Sequence, residues 1–302
     1  MSEKPWKFEA VIRLLAAVFL CMCAGSLLVS AIYHPQWTPR TKWTFALAAG
    51  TGGVFLFATL FQLRQSLSRE NLSRRLLPLL ICFYAGLILT AWAETLVGPD
   101  KTVPSTGQML IGMLSFQGAT LLLIGVFLYQ QHMGWVDGFG LRNEWPKAIL
   151  WGIITAGLFL PIGLTLQHIC ENLLRSHFPA QSLEQLPVQT LRMAHSWPHR
   201  IVLSVATIIL APLAEEGLFR GILYPVIRQA GFPNLALWIT SLAFAALHMN
   251  FVAFLPLFLL SVLLTIAYER TNNLITSITA HMMFNGFGLT VLFWTEYFQK
   301  GT

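Results

Sequence analysis

Six polar side chains that could do chemistry lie in the apolar C-terminal part of the chain. They occupy three separate apolar stretches and are Glu215, Glu216, Arg220, His248, His281 and Asn285. An ionised side chain near the middle of a bilayer costs about 2.5 to 3.5 kcal/mol on insertion scales. Two adjacent glutamates in such surroundings therefore need a partner or a chemical task, and we interpret the region as a proteolytic active site within the membrane.

Glu216 and Arg220 are spaced i,i+4 with the acid first, which is the better orientation for an ion pair within a helix. We therefore expect Arg220 to neutralise Glu216 and to order the site. Glu215 points about 100° further round the same helix and has no obvious local partner. A carboxylate that is desolvated or held near a histidine suits a general base, so we predict that role for Glu215.

Histidines and an asparagine complete the set. A lone histidine in an apolar helix is usually a satisfied core residue, but here His248 and His281 accompany two glutamates in a protein with few other charges in its apolar stretches. His281 and Asn285 are spaced i,i+4, so one helix face presents an imidazole and an amide that can both donate hydrogen bonds. Such a pair suits an oxyanion hole.

The sequence lacks the residues that other classes of intramembrane protease use. There is no HExxH for a zinc site and no GxSG for a rhomboid-like serine, and the only aspartates, Asp100 and Asp137, lie in connections between apolar stretches. Glutamate with histidine remains, either activating water directly or holding a metal.

A zinc ion is the alternative that ligand chemistry leaves open, because two carboxylates and two imidazoles could bind it. We nevertheless expect no metal. The predicted Arg220 pair occupies Glu216, and Asn285 indicates a hydrogen-bonding role for the face that carries His281. Glu215 and His248 are then too few to fix a catalytic zinc, but they suffice to orient and deprotonate one water.

Three motifs occur in order: EExxxR at Glu215 to Arg220, FxxxH at Phe244 to His248, and HxxxN at His281 to Asn285. With these motifs the sequence resembles the CAAX-protease and bacteriocin-processing family of intramembrane proteases, which is related to the type II CAAX prenyl endopeptidase. The resemblance covers roughly residues 145 to 290.

The resemblance implies that Glu215 and His248 activate the hydrolytic water, while His281 and Asn285 stabilise the oxyanion. Two functions follow. One is an intramembrane endopeptidase that cleaves a membrane-associated or lipidated peptide. The other is a non-proteolytic immunity or scaffold protein that retains the fold. The intact motifs favour the endopeptidase, because a scaffold has no physical need for a buried set of this kind.

Composition sets the fold class. In 302 residues, 55% are apolar and 11% are charged, whereas about a quarter of a soluble domain is charged. We predict an all-α, polytopic transmembrane helix bundle of about eight or nine spans, two of them near residues 43–62 and 76–97. The net charge of +6 comes from basic residues in short connections. Basic connections of this kind are typical of membrane proteins, where they face an anionic membrane surface, and they indicate no nucleic-acid partner.

The chain divides, on this interpretation, into N-terminal membrane helices (1–130), an interfacial segment (131–147) and an intramembrane protease core (148–298). The polar connection at 171–199 is expected to contain a short helix at the membrane surface. More Lys and Arg residues fall in cytoplasmic connections when the N-terminus is placed inside the cell. We therefore predict a multi-pass protein with a cytoplasmic N-terminus.

Overall fold

A computed structural model describes residues 4, 6–33, 105–142, 144–177, 185–194 and 196–300 of the chain. Regular structure in these residues is helical throughout, and six of the helices are long and apolar enough to cross a membrane. The predicted all-α, polytopic transmembrane bundle is thereby confirmed. The spans predicted near residues 43–62 and 76–97 lie outside the described residues.

The helices of the described residues follow one another in chain order. They are α1 (Phe8–Tyr33), α2 (Thr106–Gln130), α3 (Trp135–Phe139), α4 (Trp145–His177), α5 (Leu186–Met193), α6 (Trp197–Gln229), α7 (Pro233–Leu247), α8 (Phe251–Thr271) and α9 (Leu274–Lys300). The short helix predicted within 171–199 is α5, and its place at the membrane surface stays a prediction.

The described residues form two compact units, one within residues 8–123 and one within residues 1–7 and 124–302. In the first unit α1 packs against the start of α2. A Cβ atom placed on Gly25 would lie 2.3 Å from the side chain of Ser115. Only glycine allows so close an approach, which is the usual way in which membrane helices pack tightly.

The second unit is built around α4, α8 and α9. Helix α4 packs along both α8 and α9, and α7 packs against α8. At Gly152 on α4, an added Cβ would lie 2.7 Å from the carbonyl oxygen of Thr276 on α9. The missing side chain of Gly152 therefore sets how closely these two helices approach.

The outward faces of the helices are apolar. On α4, the bulky residues Leu150, Trp151 and Leu158 are exposed, whereas Ala156 and Phe159 are buried against neighbouring helices. A soluble helix shows polar residues on its exposed face, but lipid is a suitable solvent for this one. The protein is an integral, multi-pass membrane protein, and the side of the membrane on which it begins stays a prediction.

Candidate active site

The two glutamates lie in the middle of α6, between two π-helical turns. These turns span Ala206–Leu210 and Gly217–Leu223, and a short α-helical stretch between them carries Glu215 and Glu216. Both glutamate side chains are buried. Single π turns inside α-helices occur frequently at functional sites, because they change the direction of side chains and the pairing of carbonyl groups.

The first π turn explains where Asn285 lies. The N–H of Ala211 donates to the carbonyl of Ala206, five residues back. In the same register an N–H at position 212 would donate to the carbonyl of Thr207, but Pro212 has no N–H. The side-chain nitrogen of Asn285 donates to that carbonyl instead, at 3.0 Å. This bond uses one amide hydrogen of Asn285, and the amide carries a second.

Arg220 is almost wholly buried and ties three helices together. On α6 its Nη1 donates to Oε1 of Glu216 at 2.7 Å. On α8 its Nη2 donates to the carbonyl and hydroxyl oxygens of Ser261, at 3.0 and 2.7 Å, and its Nε donates to the hydroxyl of Thr265 at 3.4 Å. Its guanidinium carbon lies 4.7 Å from the centre of the Phe244 ring on α7. The predicted contact between Glu216 and Arg220 is present in the structure.

Glu216 has a second partner that the sequence reasoning did not find. Its Oε1 atom also lies 2.9 Å from Nδ1 of His281 on α9. Helices α6 and α9 are distant in sequence, and no residue spacing links these two side chains. Only the packing of α9 beside α6 brings the imidazole to the carboxylate.

Glu215 has one free carboxylate oxygen. Its Oε2 is buried and has no hydrogen-bond partner among the described residues. The nearest basic atom recorded is Nε2 of His281, at 3.9 Å. That distance is too long for a direct hydrogen bond but is one that a single water molecule can bridge. Glu215 and His281 therefore face a common space.

His248 lies at the C-terminal end of α7, where the backbone turns through Met249, which has a φ of 49°, into α8. Its Nδ1 lies 2.8 Å from the carbonyl oxygen of Phe244. Because a carbonyl only accepts hydrogen bonds, Nδ1 carries the hydrogen and the lone pair of the neutral ring is on Nε2. His248 is half-buried, so this nitrogen can serve a hydrogen-bonding or basic role.

Phe244 links the two histidines. Its ring centre lies 5.0 Å from that of His248 and 5.7 Å from that of His281. The structure thus brings both histidines around one aromatic ring, and it brings Glu215, Glu216 and Arg220 to His281. The functions assigned to these residues from the sequence stay predictions.

Two residues that order the site were missed at the sequence level. Ser261 and Thr265 on α8 supply three of the acceptors for Arg220. They are spaced i,i+4 in a helix that is otherwise strongly apolar, and this polar pair on one face was the available signal.

A protein site for zinc needs at least three suitable side chains around one point. Within the described part of the chain, no group of three His, Cys, Asp or Glu side chains is arranged to hold a metal. Oε1 of Glu216 and Nδ1 of His281 contact each other, and the same Oε1 accepts from Arg220. Metal independence stays a prediction that only measurement can test.

Comparison with known proteins shows which protein family this region resembles. Residues 197–287 match the family model described as Type II CAAX prenyl endopeptidase Rce1-like. This segment begins at the start of α6 and contains all six side chains from which the sequence analysis began. The match confirms the resemblance to the CAAX-protease and bacteriocin-processing family. The chain therefore contains a segment, residues 197–287, that is similar to this family.

Three bacterial relatives are also similar. The uncharacterized protein YpbD of Bacillus subtilis is 39% identical over 92 residues, which are 29% of this chain and 42% of the relative. The UPF0177 protein YxdF of Lactococcus lactis is 29% identical over 188 residues, 60% of this chain and 97% of the relative. An uncharacterized 24.3 kDa protein of Escherichia coli is 35% identical over 116 residues, 36% of this chain and 54% of the relative. No solved structure matches the chain.

Proposed function

We propose that the protein is an intramembrane endopeptidase that hydrolyses a peptide bond of a membrane-associated or lipidated substrate. Glu215 and His248 activate the attacking water, and His281 and Asn285 stabilise the oxyanion. No metal takes part. Lipid and a membrane-bound peptide are the partners, and nucleic acid is not one.

The observation that carries the proposal is the carboxylate of Glu215. One of its oxygens is buried, has no hydrogen-bond partner among the described residues, and lies 3.9 Å from His281 Nε2. Burying a carboxylate without a hydrogen bond is costly, and such a group is expected at a site that binds water or substrate. The neighbouring Glu216 also has an unpartnered buried oxygen, Oε2, but its Oε1 accepts from Arg220 and contacts His281, whereas Glu215 has no such ion pair with an arginine among the described residues.

The reaction uses these groups as follows. The oxygen of a water molecule attacks the carbonyl carbon of the peptide while Glu215 accepts a proton from the water. The carbonyl oxygen becomes negatively charged, and N–H groups of His281 and Asn285 donate hydrogen bonds to it. When the C–N bond breaks, the proton held by Glu215 passes to the leaving nitrogen. The products are a carboxylic acid and an amine, with one water consumed.

The test is hydrolysis by purified protein reconstituted in lipid vesicles. A library of membrane-anchored peptides, with and without a lipidated cysteine, is incubated with the protein and analysed for cleavage by mass spectrometry. Glu215→Gln should lower kcat by about 10² to 10⁴-fold, the usual contribution of a general base. The variant should stay folded, because the buried oxygen Oε2 of Glu215 makes no hydrogen bond among the described residues.

The matched control is Glu144→Gln, which changes an exposed glutamate paired with Lys147. It should cleave at the wild-type rate. Cleavage that survives Glu215→Gln would refute the assignment of the base. If folded wild-type protein cleaves no member of the library, the result favours the scaffold or immunity alternative. Chelator-washed protein should stay active, and activity that returns only with added zinc would refute metal independence.

A further inference from the structure

The hydrogen-bond partners of Glu216 determine which nitrogen of His281 carries a hydrogen. Oε1 of Glu216 lies 2.7 Å from Nη1 of Arg220 and 2.9 Å from Nδ1 of His281. Arg220 donates hydrogen bonds and cannot accept them, and its buried positive charge requires a negative partner. Glu216 is that partner and is therefore a carboxylate. A carboxylate oxygen only accepts, so the contact with His281 requires a hydrogen on Nδ1.

This arrangement restricts what His281 can offer a substrate. With Nδ1 protonated, a neutral imidazole has a lone pair on Nε2, which would repel a negatively charged oxygen. Nε2 becomes a donor only when the ring is the doubly protonated cation. His281 can thus stabilise an oxyanion only as imidazolium.

Charged groups surround His281. The groups that face it are Glu215 and Glu216 from α6 and, through Glu216, Arg220. From α7 the ring of Phe244 lies against it, with His248 on that ring as well. When His281 is protonated, the two carboxylates and the two cations balance. A buried cluster without net charge avoids an uncompensated charge in surroundings of low dielectric constant.

We propose that Glu216 is the positioning residue of His281: it holds the Nδ1–H form and supports the imidazolium whose Nε2–H faces the reacting carbonyl. This inference rests on the proposed function and refines the role of one of its residues. Glu216 itself does not touch the substrate. If Glu216 only formed a structural ion pair with Arg220, it would not determine which nitrogen of His281 carries a hydrogen.

Nitrogen-15 NMR of protein labelled at histidine, in lipid nanodiscs, tests the inference without any substrate. Unprotonated imidazole nitrogens resonate far downfield of protonated ones, and the signals of His281 are identified by their loss in His281→Asn. In the wild type, Nδ1 of His281 should stay in the protonated region at every pH at which the protein is folded. A downfield Nδ1 signal in the wild type would overturn the proposal.

Glu216→Gln removes the charge but keeps a side chain of the same size beside Arg220. In this variant the carboxylate no longer holds the hydrogen on Nδ1, so a downfield Nδ1 signal of His281 should appear, and its absence would also overturn the proposal. Glu171→Gln is the control, because it makes the same change in a glutamate that pairs with an arginine four residues later, Arg175, and lies outside the site. Its His281 signals should match the wild type. If Glu216→Gln does not fold, the wild-type spectrum decides.

A kinetic experiment adds a second readout once a substrate is known. Removing one oxyanion donor typically costs about 10² to 10³ in kcat. Glu216→Gln should lose about 10²-fold in kcat with KM within about twofold, because the lost interaction is made only in the transition state. If kcat/KM fell by the same factor only because KM rose, with kcat unchanged, the result would contradict a role in oxyanion stabilisation. The NMR spectra do not depend on hydrolysis. Failure of the proposed function can therefore be distinguished from failure of the inference about Glu216.

Discussion

Arg220 can be buried because its own helix and the neighbouring α8 supply an acceptor for each of its three guanidinium nitrogens. Its guanidinium donates to Glu216, Ser261 and Thr265 and stacks on Phe244. The same four contacts hold Glu216 in place for His281. At the scale of single residues, the site therefore depends on the buried charge of Arg220, for which we predict no contact with the substrate.

Arg220→Ala should lower the free energy of unfolding by about 3 to 5 kcal/mol, because it removes the guanidinium that pairs with the buried carboxylate of Glu216. Thermal unfolding of the purified protein in detergent measures the loss. Arg175→Ala is the matched control: Arg175 also pairs with a glutamate four residues earlier, but it is largely exposed. It should change stability by less than about 1 kcal/mol. Wild-type stability of Arg220→Ala would show that the pair is not structural.

The irregular hydrogen bonding of α6 is a property of the whole element. A proline that lacks a backbone donor follows each of its two π turns by two residues, and one carbonyl in each turn accepts from a side chain outside the helix. Asn285 donates to the carbonyl of Thr207. The indole of Trp6 donates to the carbonyl of Gly221, which lies four residues before Pro225, a residue without an N–H. The helix that carries the glutamates is thus fixed from outside at both ends of the site.

Asn285→Ala should cost about 1 to 3 kcal/mol of stability, because the carbonyl of Thr207 is left without a donor. Combining it with Pro212→Ala, which restores a backbone N–H in the same turn, should recover part of that loss. Thermal unfolding of the two single variants and the double variant gives the coupling energy. Strictly additive effects would show that Pro212 is not the reason why Asn285 is needed.

Close packing of α4 against α9 makes a second prediction at this scale. Gly152→Ala should destabilise the protein by about 1 to 3 kcal/mol, because the new Cβ would lie 2.7 Å from the backbone oxygen of Thr276. Gly157→Ala lies on the same helix, with no atom within 4 Å of its added Cβ. It should be neutral or stabilising by up to about 1 kcal/mol, since alanine favours a helix. Equal effects in unfolding measurements would contradict the packing argument.

At the scale of the molecule, residues before α1 belong to the same compact unit as the site. Lys4 is buried, donates to the carbonyl of Gly138 at 2.9 Å, and its burial lowers the pKa of its ammonium group. Trp6 packs on Phe127, with ring centres 5.2 Å apart, and donates to Gly221 at 3.1 Å. The N-terminal segment therefore stabilises the far end of the helix that carries Glu215.

Trp6→Phe should lower the free energy of unfolding by about 1 kcal/mol, because it keeps an aromatic ring but removes the donor to the carbonyl of Gly221. Trp6→Ala should cost about 3 to 5 kcal/mol, since it also removes the buried ring. Trp145→Phe, at an exposed tryptophan, serves as control and should change stability by less than about 0.5 kcal/mol. If both Trp6 variants unfold like the wild type, the segment does not stabilise this unit.

The sequence by itself determined the class of fold and the identity of the candidate residues. Long apolar stretches can satisfy their backbone in lipid only as helices, so composition and length are enough to predict the bundle. The pair of Glu216 and Arg220 was predictable for a similar reason, because i,i+4 neighbours on one helix meet whatever else the chain does.

Only the tertiary structure decided which side chains from different helices meet. The contact of Glu216 with His281, the acceptors that α8 gives to Arg220, and the bond from Asn285 to Thr207 each join residues at least 41 positions apart. Such contacts depend on how the helices rotate and pack, and glycines such as Gly152 set the distance. Helical periodicity defines the face on which a residue lies but not the neighbour that covers that face.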